Sequence, residues 1–227
     1  MEEKTYAIAV DGPSGAGKSS LSKRVAAAFH FVYLDTGAIY RTIGLYVKNK
    51  GIDPKDSAAV IAALPDIRID MGHGDDGLQR MYLGGEDVTE AIRLPEIGMY
   101  ASDVSAIPEV RTYLLEMQRA LARENCVIMD GRDIGTVVLP DADVKIFLYA
   151  DVEVRARRRC KELEQRGTPK PFEEVLKEME QRDYQDTHRE TAPLRPADDS
   201  IMIDTSDIGF YASRDLLLDV IRGSVGL

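Results

Sequence analysis

The most informative run in this sequence is Tyr6-Ala7-Ile8-Ala9-Val10-Asp11-Gly12-Pro13-Ser14-Gly15-Ala16-Gly17-Lys18-Ser19-Ser20-Leu21. An apolar segment ends at Asp11 and passes into G-x-x-x-x-G-K-S, the pattern of a phosphate-binding loop between a strand and a helix. Downstream, Leu21, Val25 and Phe29 recur every four residues, which predicts one face of that helix. Because a predicted strand and a predicted helix flank the motif, we interpret it as a nucleoside-triphosphate site and not as a chance match.

The chemistry of this loop follows from its residue types. Gly12, Gly15 and Gly17 allow backbone N–H groups to turn towards a phosphate, and the positive end of the helix dipole points to the same place. Lys18 is predicted to reach the β- and γ-phosphates and to act in catalysis, while the Ser19 hydroxyl is predicted to bind Mg²⁺. The predicted ATP-binding residues are Gly12, Pro13, Ser14, Gly15, Ala16, Gly17, Lys18, Ser19 and Ser20.

The composition limits the partners of this chain. Its 227 residues carry 29 Lys and Arg against 39 Asp and Glu, a net charge of −10. Nucleic acid and anionic membranes both favour clustered positive charge, so we expect neither as a partner. No apolar run approaches the roughly eighteen residues of a membrane span, and the N-terminal residues lack a signal-like apolar core, which predicts a cytoplasmic protein. Cys126 and Cys160 have neither metal-ligand spacing nor a disulfide framework.

Apolar runs alternate with helical patterns along the chain. After residues 6–11, further strands are predicted in 31–34, 126–130, 144–149 and 200–204. This order predicts an α/β fold in which a parallel five-stranded sheet with right-handed crossovers is flanked by helices, built as a single domain of 227 residues.

The alternation of predicted strands and helices is interrupted at residues 66–92. Ile67 and Ile69 alternate with polar residues, 72–77 is a turn cluster, and a second short strand follows, which predicts a small antiparallel β insertion. Such a segment is too small to fold alone. It can serve as a moving cover over a substrate or as a decorative insertion, and the pattern leaves both open.

Two predicted strands end in polar residues. Thr36, Tyr40 and Arg41 follow the strand at 31–34, so they are candidates for binding a second substrate, although Arg41 alone could equally be a solvated helix residue. Asp130, Arg132 and Asp133 surround the end of the strand at 126–130. Charges are costly to hold near a core, so this cluster favours a functional site.

Two later helices carry charge in unusual positions. Arg155, Arg158 and Arg159 share a face, which predicts either a lid that closes on polyphosphate or a solvated face paired with Glu162 and Glu164. Residues 167–171 then break the helix and can act as a hinge. The next helix has an apolar stripe that continues, at the same helical spacing, into charged residues. The charged part of this face is therefore predicted to line a polar cleft. The apolar stripe is Phe172, Val175, Leu176 and Met179, and the charged continuation is Arg182, Asp186 and Arg189.

From Ile8 to the last helix the chain resembles the bacterial cytidylate kinases, within the nucleoside monophosphate kinases. The phosphate loop is common to many kinases, whereas the other motifs and the insertion at 66–92 are specific to this family. The motifs that carry the resemblance are Gly12-Pro13-Ser14-Gly15-Ala16-Gly17-Lys18-Ser19, Leu34-Asp35-Thr36-Gly37-Ala38-Ile39-Tyr40-Arg41, Asp130-Gly131-Arg132-Asp133-Ile134-Gly135-Thr136, and Arg182-Asp183 with Asp186 and Arg189.

The resemblance implies Mg²⁺-dependent transfer of the ATP γ-phosphoryl group to CMP or dCMP. It implies that residues 66–92 help to bind the acceptor and that residues 155–171 form an arginine-rich lid. Arg132, Arg155, Arg158 and Arg159 would join Lys18 in catalysis, and Asp130 would hold the metal through water. The implied acceptor contacts are Thr36, Arg111, Asp133 and Arg189 to cytosine, Ser102, Arg182 and Asp186 to the sugar, and Arg41 and Arg132 to the phosphate, with Tyr40 nearby.

Two alternatives to this function remain open from the sequence. One is a phosphate-loop kinase for another small acceptor, such as a different nucleotide or shikimate. The other is a switch protein that binds ATP without transferring phosphate, against which the arginine-rich lid and the polar cleft weigh. As partners we predict only ATP and CMP or dCMP, with the protein as a monomer.

Overall fold

The computed structural model describes residues 5–74 and 78–226. The helices and strands, in chain order, are β1 (Ala7–Asp11), α1 (Lys18–Phe29), β2 (Val32–Asp35), α2 (Thr36–Asn49), α3 (Ser57–Ala63), β3 (Ile69–His73), β4 (Gln79–Leu83), β5 (Glu86–Asp87), α4 (Pro95–Ser105), α5 (Pro108–Glu124), β6 (Val127–Gly131), β7 (Val144–Tyr149), α6 (Val152–Gln165), α7 (Phe172–His188), β8 (Ile201–Asp204) and α8 (Phe210–Val225). Within these residues, none of the helices is both long and apolar enough to span a membrane.

The described residues form two compact units. One contains residues 5–32 and 125–226, and the other contains residues 33–74 and 78–124. The phosphate loop belongs to the first unit, and the antiparallel strands of the predicted insertion belong to the second.

In the described part of the chain a parallel sheet has five strands in the order β2-β6-β1-β7-β8. This confirms the predicted sheet. β1 pairs in parallel with β6 on one side and β7 on the other, and Asp11 at its end lies opposite Gly131 and Phe147. The carboxyl ends of these strands therefore share one edge, where ligands bind in sheets of this type.

The central strands are apolar because helices cover both faces of the sheet. Ile8, Ala9 and Val10 of β1 are fully buried, as are the neighbouring residues of β6. A parallel strand buried on both faces carries a continuous apolar run and not an alternating one. On α1, Leu21 and Val25 are buried as the spacing predicts.

The second unit is built from the antiparallel sheet and the helices α2 to α5. β4 pairs with β3 and with β5, so that the described residues form a three-stranded antiparallel sheet, as expected. Ile39, Ile43 and Val47 are completely buried, which confirms the predicted core side of α2. A methyl group at Gly44 would lie 3.0 Å from the backbone nitrogen of Ala101, so this glycine lets α2 and α4 pack closely.

Local boundaries differ from the sequence-based prediction in the second unit. α2 begins at Thr36, before Gly37, because the Asp35 carboxylate caps the helix by accepting the N–H of Ala38. The predicted turn cluster at 72–77 begins too early, since Gly72 and His73 still belong to β3, and its residues 75–77 lie outside the described residues.

Two helices also depart from their predicted patterns. The helix α4 was not predicted at all, although Pro95 starts it and Ile97, Ala101 and Val104 form its buried side. On α5 the spacing predicts a core stripe of Val110, Leu114, Met117 and Leu121. The structure buries Val110 and Leu114 and packs Met117 against the core, but further along it buries Gln118 and Ala122 more deeply than Leu121. Gln118 can be buried because its side-chain amide donates to the carbonyl of Leu114 at 3.2 Å.

Two glycines give a matched stability prediction. A methyl group at Gly12 would lie only 1.9 Å from the carbonyl oxygen of Leu148, and the φ of Gly12 is +144°. At Gly98, inside α4, no described atom outside its own helix backbone and chain neighbours lies within 4 Å of such a methyl group. We expect Gly12→Ala to lower the melting temperature through backbone overlap, and Gly98→Ala to stabilise the protein by about 0.5–1 kcal/mol. Thermal unfolding of both variants measures this, and equal shifts would contradict it.

Candidate active site

The phosphate loop depends on glycines in backbone conformations that other residues rarely adopt. Gly12, Gly15 and Gly17 have φ values of +144°, +76° and +94°. A methyl group at Gly15 would also lie 2.8 Å from Met179 Cε and 3.1 Å from Arg155 Cβ, so the loop packs tightly on α6 and α7. The loop therefore requires glycine both for its curvature and for its close contacts.

Lys18 is the buried cation of this loop. It begins α1, and its ammonium donates to the carbonyl of Pro13 at 2.8 Å. Burial, together with the neighbouring Arg132, lowers the pKa of Lys18 from its ordinary value of 10.5 to about 7. Two cations placed together at such a cost are suited to an anion, whose charge would compensate both. Ser20, also predicted to bind ATP, is exposed in the first turn of the same helix.

Ser19 and Asp130 form the part of the site that could hold a divalent cation. The Ser19 hydroxyl donates to Asp130 Oδ2 at 2.8 Å, and Asp130 is buried at the end of β6. Hydroxyl and carboxylate oxygens are the ligands that Mg²⁺ prefers, and it keeps several waters besides substrate phosphate oxygens. The described residues hold no group of three or more His, Cys, Asp or Glu side chains suited to a metal, so protein groups alone do not form a metal cage there.

An ion pair between the half-buried Arg132 and the buried Asp186 lies beside this loop in the same unit. Arg132 Nε donates to Asp186 Oδ2 at 2.7 Å, which joins the end of β6 to α7. Burial acts to raise the pKa of Asp186, but Arg132, Arg182 and Arg189 outweigh it and hold that pKa below its ordinary value. Asp186 is therefore ionised at neutral pH, and the charged end of the α7 stripe is turned inwards as its spacing predicts.

Asp133 and Arg189 form a second buried pair. Their side chains lie 3.4 Å apart, and Arg189 Nε also donates to the carbonyl of Ala192 at 2.7 Å. Arg189 caps the C-terminus of α7, one residue beyond its end. Within the first unit, the structure thus brings together predicted site residues that are far apart in the sequence: Lys18, Ser19, Asp130, Arg132, Asp133, Arg182, Asp186 and Arg189.

Asp11 is a site residue that the sequence analysis missed. Its Oδ1 accepts the N–H of Ile134 and its Oδ2 accepts the N–H of Gly135, both at 2.8 Å. Burial raises the pKa of Asp11 from 3.8 to about 6, although these two hydrogen bonds act in the opposite direction. An acidic residue that closes a buried apolar strand was the available signal, since the same signal drew attention to Asp130.

The raised pKa of Asp11 predicts a pH dependence of stability. The folded protein keeps a proton on Asp11 up to about pH 6, whereas the unfolded chain releases it near 3.8. The folded state therefore binds more protons within this window, so raising the pH across it lowers the free energy of unfolding, by up to about 3 kcal/mol.

Asp11→Asn does not titrate and provides the reference. We expect the stability of the wild type relative to this variant to fall between about pH 4 and about pH 6, as measured by urea unfolding. A difference that stays constant over this range would contradict the assigned titration.

The arginines of α6 have separate environments. Arg155 is buried and donates to the carbonyls of Ala150 and Ser14 and, at 2.6 Å, to Asp183. It therefore ties the phosphate loop to α7 and is not part of a solvated face. Arg158 donates instead to Thr205, directly after β8. Arg159 pairs with Glu162, as the solvated alternative anticipates for that residue.

The other predicted acceptor contacts lie in the second unit. Arg111 is buried, with its guanidinium 5.5 Å from the ring centre of Tyr40 and NH1 donating to the carbonyl of Ser105. Arg41 pairs with Asp35 at 2.7 Å. Thr36 is buried at the start of α2, and Ser102 is half-buried on α4. The unit thus presents two ordered arginines and two hydroxyl-bearing residues.

The fold and the site define a class of protein. A glycine-rich loop leading into a helix through a buried lysine, on a parallel sheet and beside buried arginines, is typical of phosphate-loop phosphotransferases. The family model "Cytidylate kinase" matches residues 8–222. The chain belongs to the cytidylate kinase family, and it is a phosphotransferase.

Curated relatives support this assignment, and a solved structure shares the fold. The chain is 50% identical over 207 residues to the cytidylate kinase of Caldicellulosiruptor bescii, covering 90% of each chain. It is 49% identical over 225 residues to that of Caldicellulosiruptor saccharolyticus, covering 98% of each. A crystal structure of an uncharacterised protein from Eubacterium ventriosum shares the fold, with a TM-score of 0.52 and 13% identity over 97% of this chain and 99% of that chain.

Proposed function

We propose that this protein transfers the γ-phosphoryl group of ATP to CMP or dCMP, giving ADP and CDP or dCDP. The observation that carries the proposal is the pair of neighbouring cations at the loop: Lys18 donates to the carbonyl of Pro13 at 2.8 Å, and Arg132 is held by Asp186 at 2.7 Å. A donor phosphate on the loop and an acceptor phosphate near Arg132 would each meet one of these cations. Membership of the cytidylate kinase family supports CMP as the acceptor.

The reaction needs no general base. The second pKa of a phosphate monoester is about 6, so at neutral pH the attacking oxygen of the acceptor is already mostly deprotonated. The residues of this chain then have two tasks, which are to align the two phosphates and to neutralise the charge that spreads over the transferred group. Lys18 and Arg132 are suited to the second task, because Lys18 is buried, Arg132 is half-buried, and both are held by protein hydrogen bonds.

A divalent cation fits the loop. Ser19 and Asp130 would hold Mg²⁺, Asp130 through water, and the ion would supply positive charge between the β- and γ-phosphates. In the protein as described, the Ser19 hydroxyl already points at the Asp130 carboxylate, so the two oxygen ligands are oriented before the ion binds.

We assign the acceptor contacts by likeness to the family. Asp133, Arg189, Thr36 and Arg111 are proposed to bind the cytosine, and Arg132 and Arg41 the phosphate, with Tyr40 under the guanidinium of Arg111. Arg182, Asp186 and Ser102 are proposed to bind the sugar. The ion pairs Arg132–Asp186 and Asp133–Arg189 support this assignment, because groups held in place before binding lose little entropy when the ligand arrives.

We also propose roles for the lid and the insertion, and an oligomeric state and a location for the enzyme. Residues 155–171 are proposed to act as a lid that excludes water, and residues 66–92 as a part of the acceptor site. The contacts of Arg155 indicate that it holds the phosphate loop in place, while Arg158 and Arg159 are the arginines that closure could bring to the transferred group. We further propose that the enzyme works as a monomer in the cytoplasm, where ATP and nucleoside monophosphates are found.

A coupled assay of ADP release tests the proposed function. The acceptors are CMP, dCMP, UMP, AMP, GMP and shikimate, each with ATP and with or without Mg²⁺. We expect release to depend on both CMP or dCMP and Mg²⁺. Release with a different acceptor alone would indicate another kinase, and nucleotide binding without any acceptor-dependent release would indicate a switch protein.

A further inference from the structure

Asp11 holds a turn that the proposed catalytic chemistry does not use directly. It ends β1, immediately before the phosphate loop, and its two carboxylate oxygens accept the N–H groups of Ile134 and Gly135. These residues begin the short helical turn Ile134–Val138, which follows directly after Arg132 and Asp133. One buried carboxylate thus joins the start of the donor loop to the segment assigned to the acceptor.

The residue that would ordinarily cap this turn is Asp133. Aspartate is favoured at the position before a helix because its carboxylate accepts the first N–H groups. Within the described residues, however, the Asp133 side chain makes no capping hydrogen bond, and it lies 3.4 Å from Arg189 instead. Asp11, more than a hundred residues earlier in the sequence, accepts the N–H groups that Asp133 would otherwise take.

The turn is also confined on its other side. A methyl group at Gly135 would lie 3.1 Å from Lys145 Cδ and 3.4 Å from Asp11 Oδ2. Lys145 is itself fixed, because its ammonium donates to both carboxylate oxygens of Asp199, at 2.9 and 2.8 Å. The position of Gly135 is therefore set by Asp11 and by the stem of Lys145 together.

We infer that Asp11 is a positioning residue for recognition of the acceptor base. By capping the turn in place of Asp133, it leaves the Asp133 carboxylate directed to Arg189 and to the exocyclic amino group of a cytosine. Without Asp11, the unsatisfied N–H groups of the turn would compete with the ligand for that carboxylate. The inference rests on the proposed function, and it adds a specificity role for a residue that does not touch the substrate.

Steady-state kinetics of two variants and one control test the inference. Asp11→Asn replaces one acceptor oxygen with an amide group, and Gly135→Ala pushes against the same contact from the other side. The control is Asp143→Asn, because Asp143 is exposed and accepts the N–H of Ala7 at 2.9 Å, at the opposite end of β1. It makes the same change of side chain at a hydrogen bond that lies far from the turn.

We expect Asp11→Asn and Gly135→Ala to raise the KM for CMP and to reduce the preference for CMP over UMP by about tenfold, while the KM for ATP changes by less than about twofold. The control should keep the wild-type preference. A merely structural role would lower the folded fraction, and with it the rates for both acceptors in equal proportion. An unchanged CMP-to-UMP ratio in both variants would therefore overturn the inference.

The wild type separates this inference from the proposed function. If the wild type does not phosphorylate CMP, the proposed function fails whatever the variants do. If the wild type prefers CMP, the ratio in the variants decides the role of Asp11 alone. If Asp11→Asn does not fold, the CMP-to-UMP ratio of Gly135→Ala decides the role of Asp11 by the same two outcomes. Amide exchange at Ile134 supplies a second measurement. We expect slow exchange in the wild type and faster exchange in Gly135→Ala.

Discussion

Replacing Lys18 with alanine is expected to reduce the maximal rate of phosphoryl transfer by about 10²–10³-fold, the usual effect of removing one preorganised charge contact to a transition state. The ammonium donates to the loop carbonyl of Pro13, and burial beside Arg132 has already lowered its pKa to about 7. Its removal relieves this electrostatic cost in the unliganded protein. The variant should therefore be at least as stable as the wild type while losing activity.

Lys177 provides the matched control for this substitution. It lies exposed on α7, so Lys177→Ala removes the same side chain from a solvated position. We expect wild-type rates for this control in the same ADP-release assay, together with unchanged thermal unfolding. Near-normal turnover by a folded Lys18→Ala protein would contradict the assignment of this loop as the ATP-binding site.

Replacing Asp133 with alanine is expected to remove most of the preference for CMP over UMP. Cytosine presents an exocyclic amino donor that a carboxylate can accept, whereas uracil presents a carbonyl oxygen at the same position. Asp133 is only 4% exposed, so facing a uracil carbonyl would leave a buried charge without a donor from the base. The wild type should favour CMP by about 1–3 kcal/mol for each contact that fails with UMP.

Asp186→Asn is the informative comparison, because Asp186 is also a buried aspartate paired with an arginine. We assign it to the sugar, which CMP and UMP share, so its loss should weaken both acceptors alike. Values of kcat/KM for the two acceptors with each variant provide the measurement. The assignment of the base pocket must be abandoned if Asp133→Ala keeps the full wild-type preference, or if the wild type uses both acceptors equally.

The local sequence pattern was enough to predict much of the fold. The phosphate loop and its flanks are contiguous, and the apolar runs of β1, β6 and β7 are long enough to show burial on both faces. The stripe on α2 and the charged continuation of the stripe on α7 were equally visible, because helical spacing records which face is buried. The helix α4 was missed although its apolar spacing and its first-turn proline were present in the sequence.

The sequence by itself therefore determined the class of fold, the phosphate loop and the residue types of the site. Only the tertiary structure decided which of these residues meet. That Asp11 caps the turn after Asp133 and that Arg155 ties the loop to α7 both depend on contacts that a local pattern does not encode. The physical reason is that a charged or polar side chain can be buried only where a partner satisfies it, and such partners come from wherever the packed chain brings them.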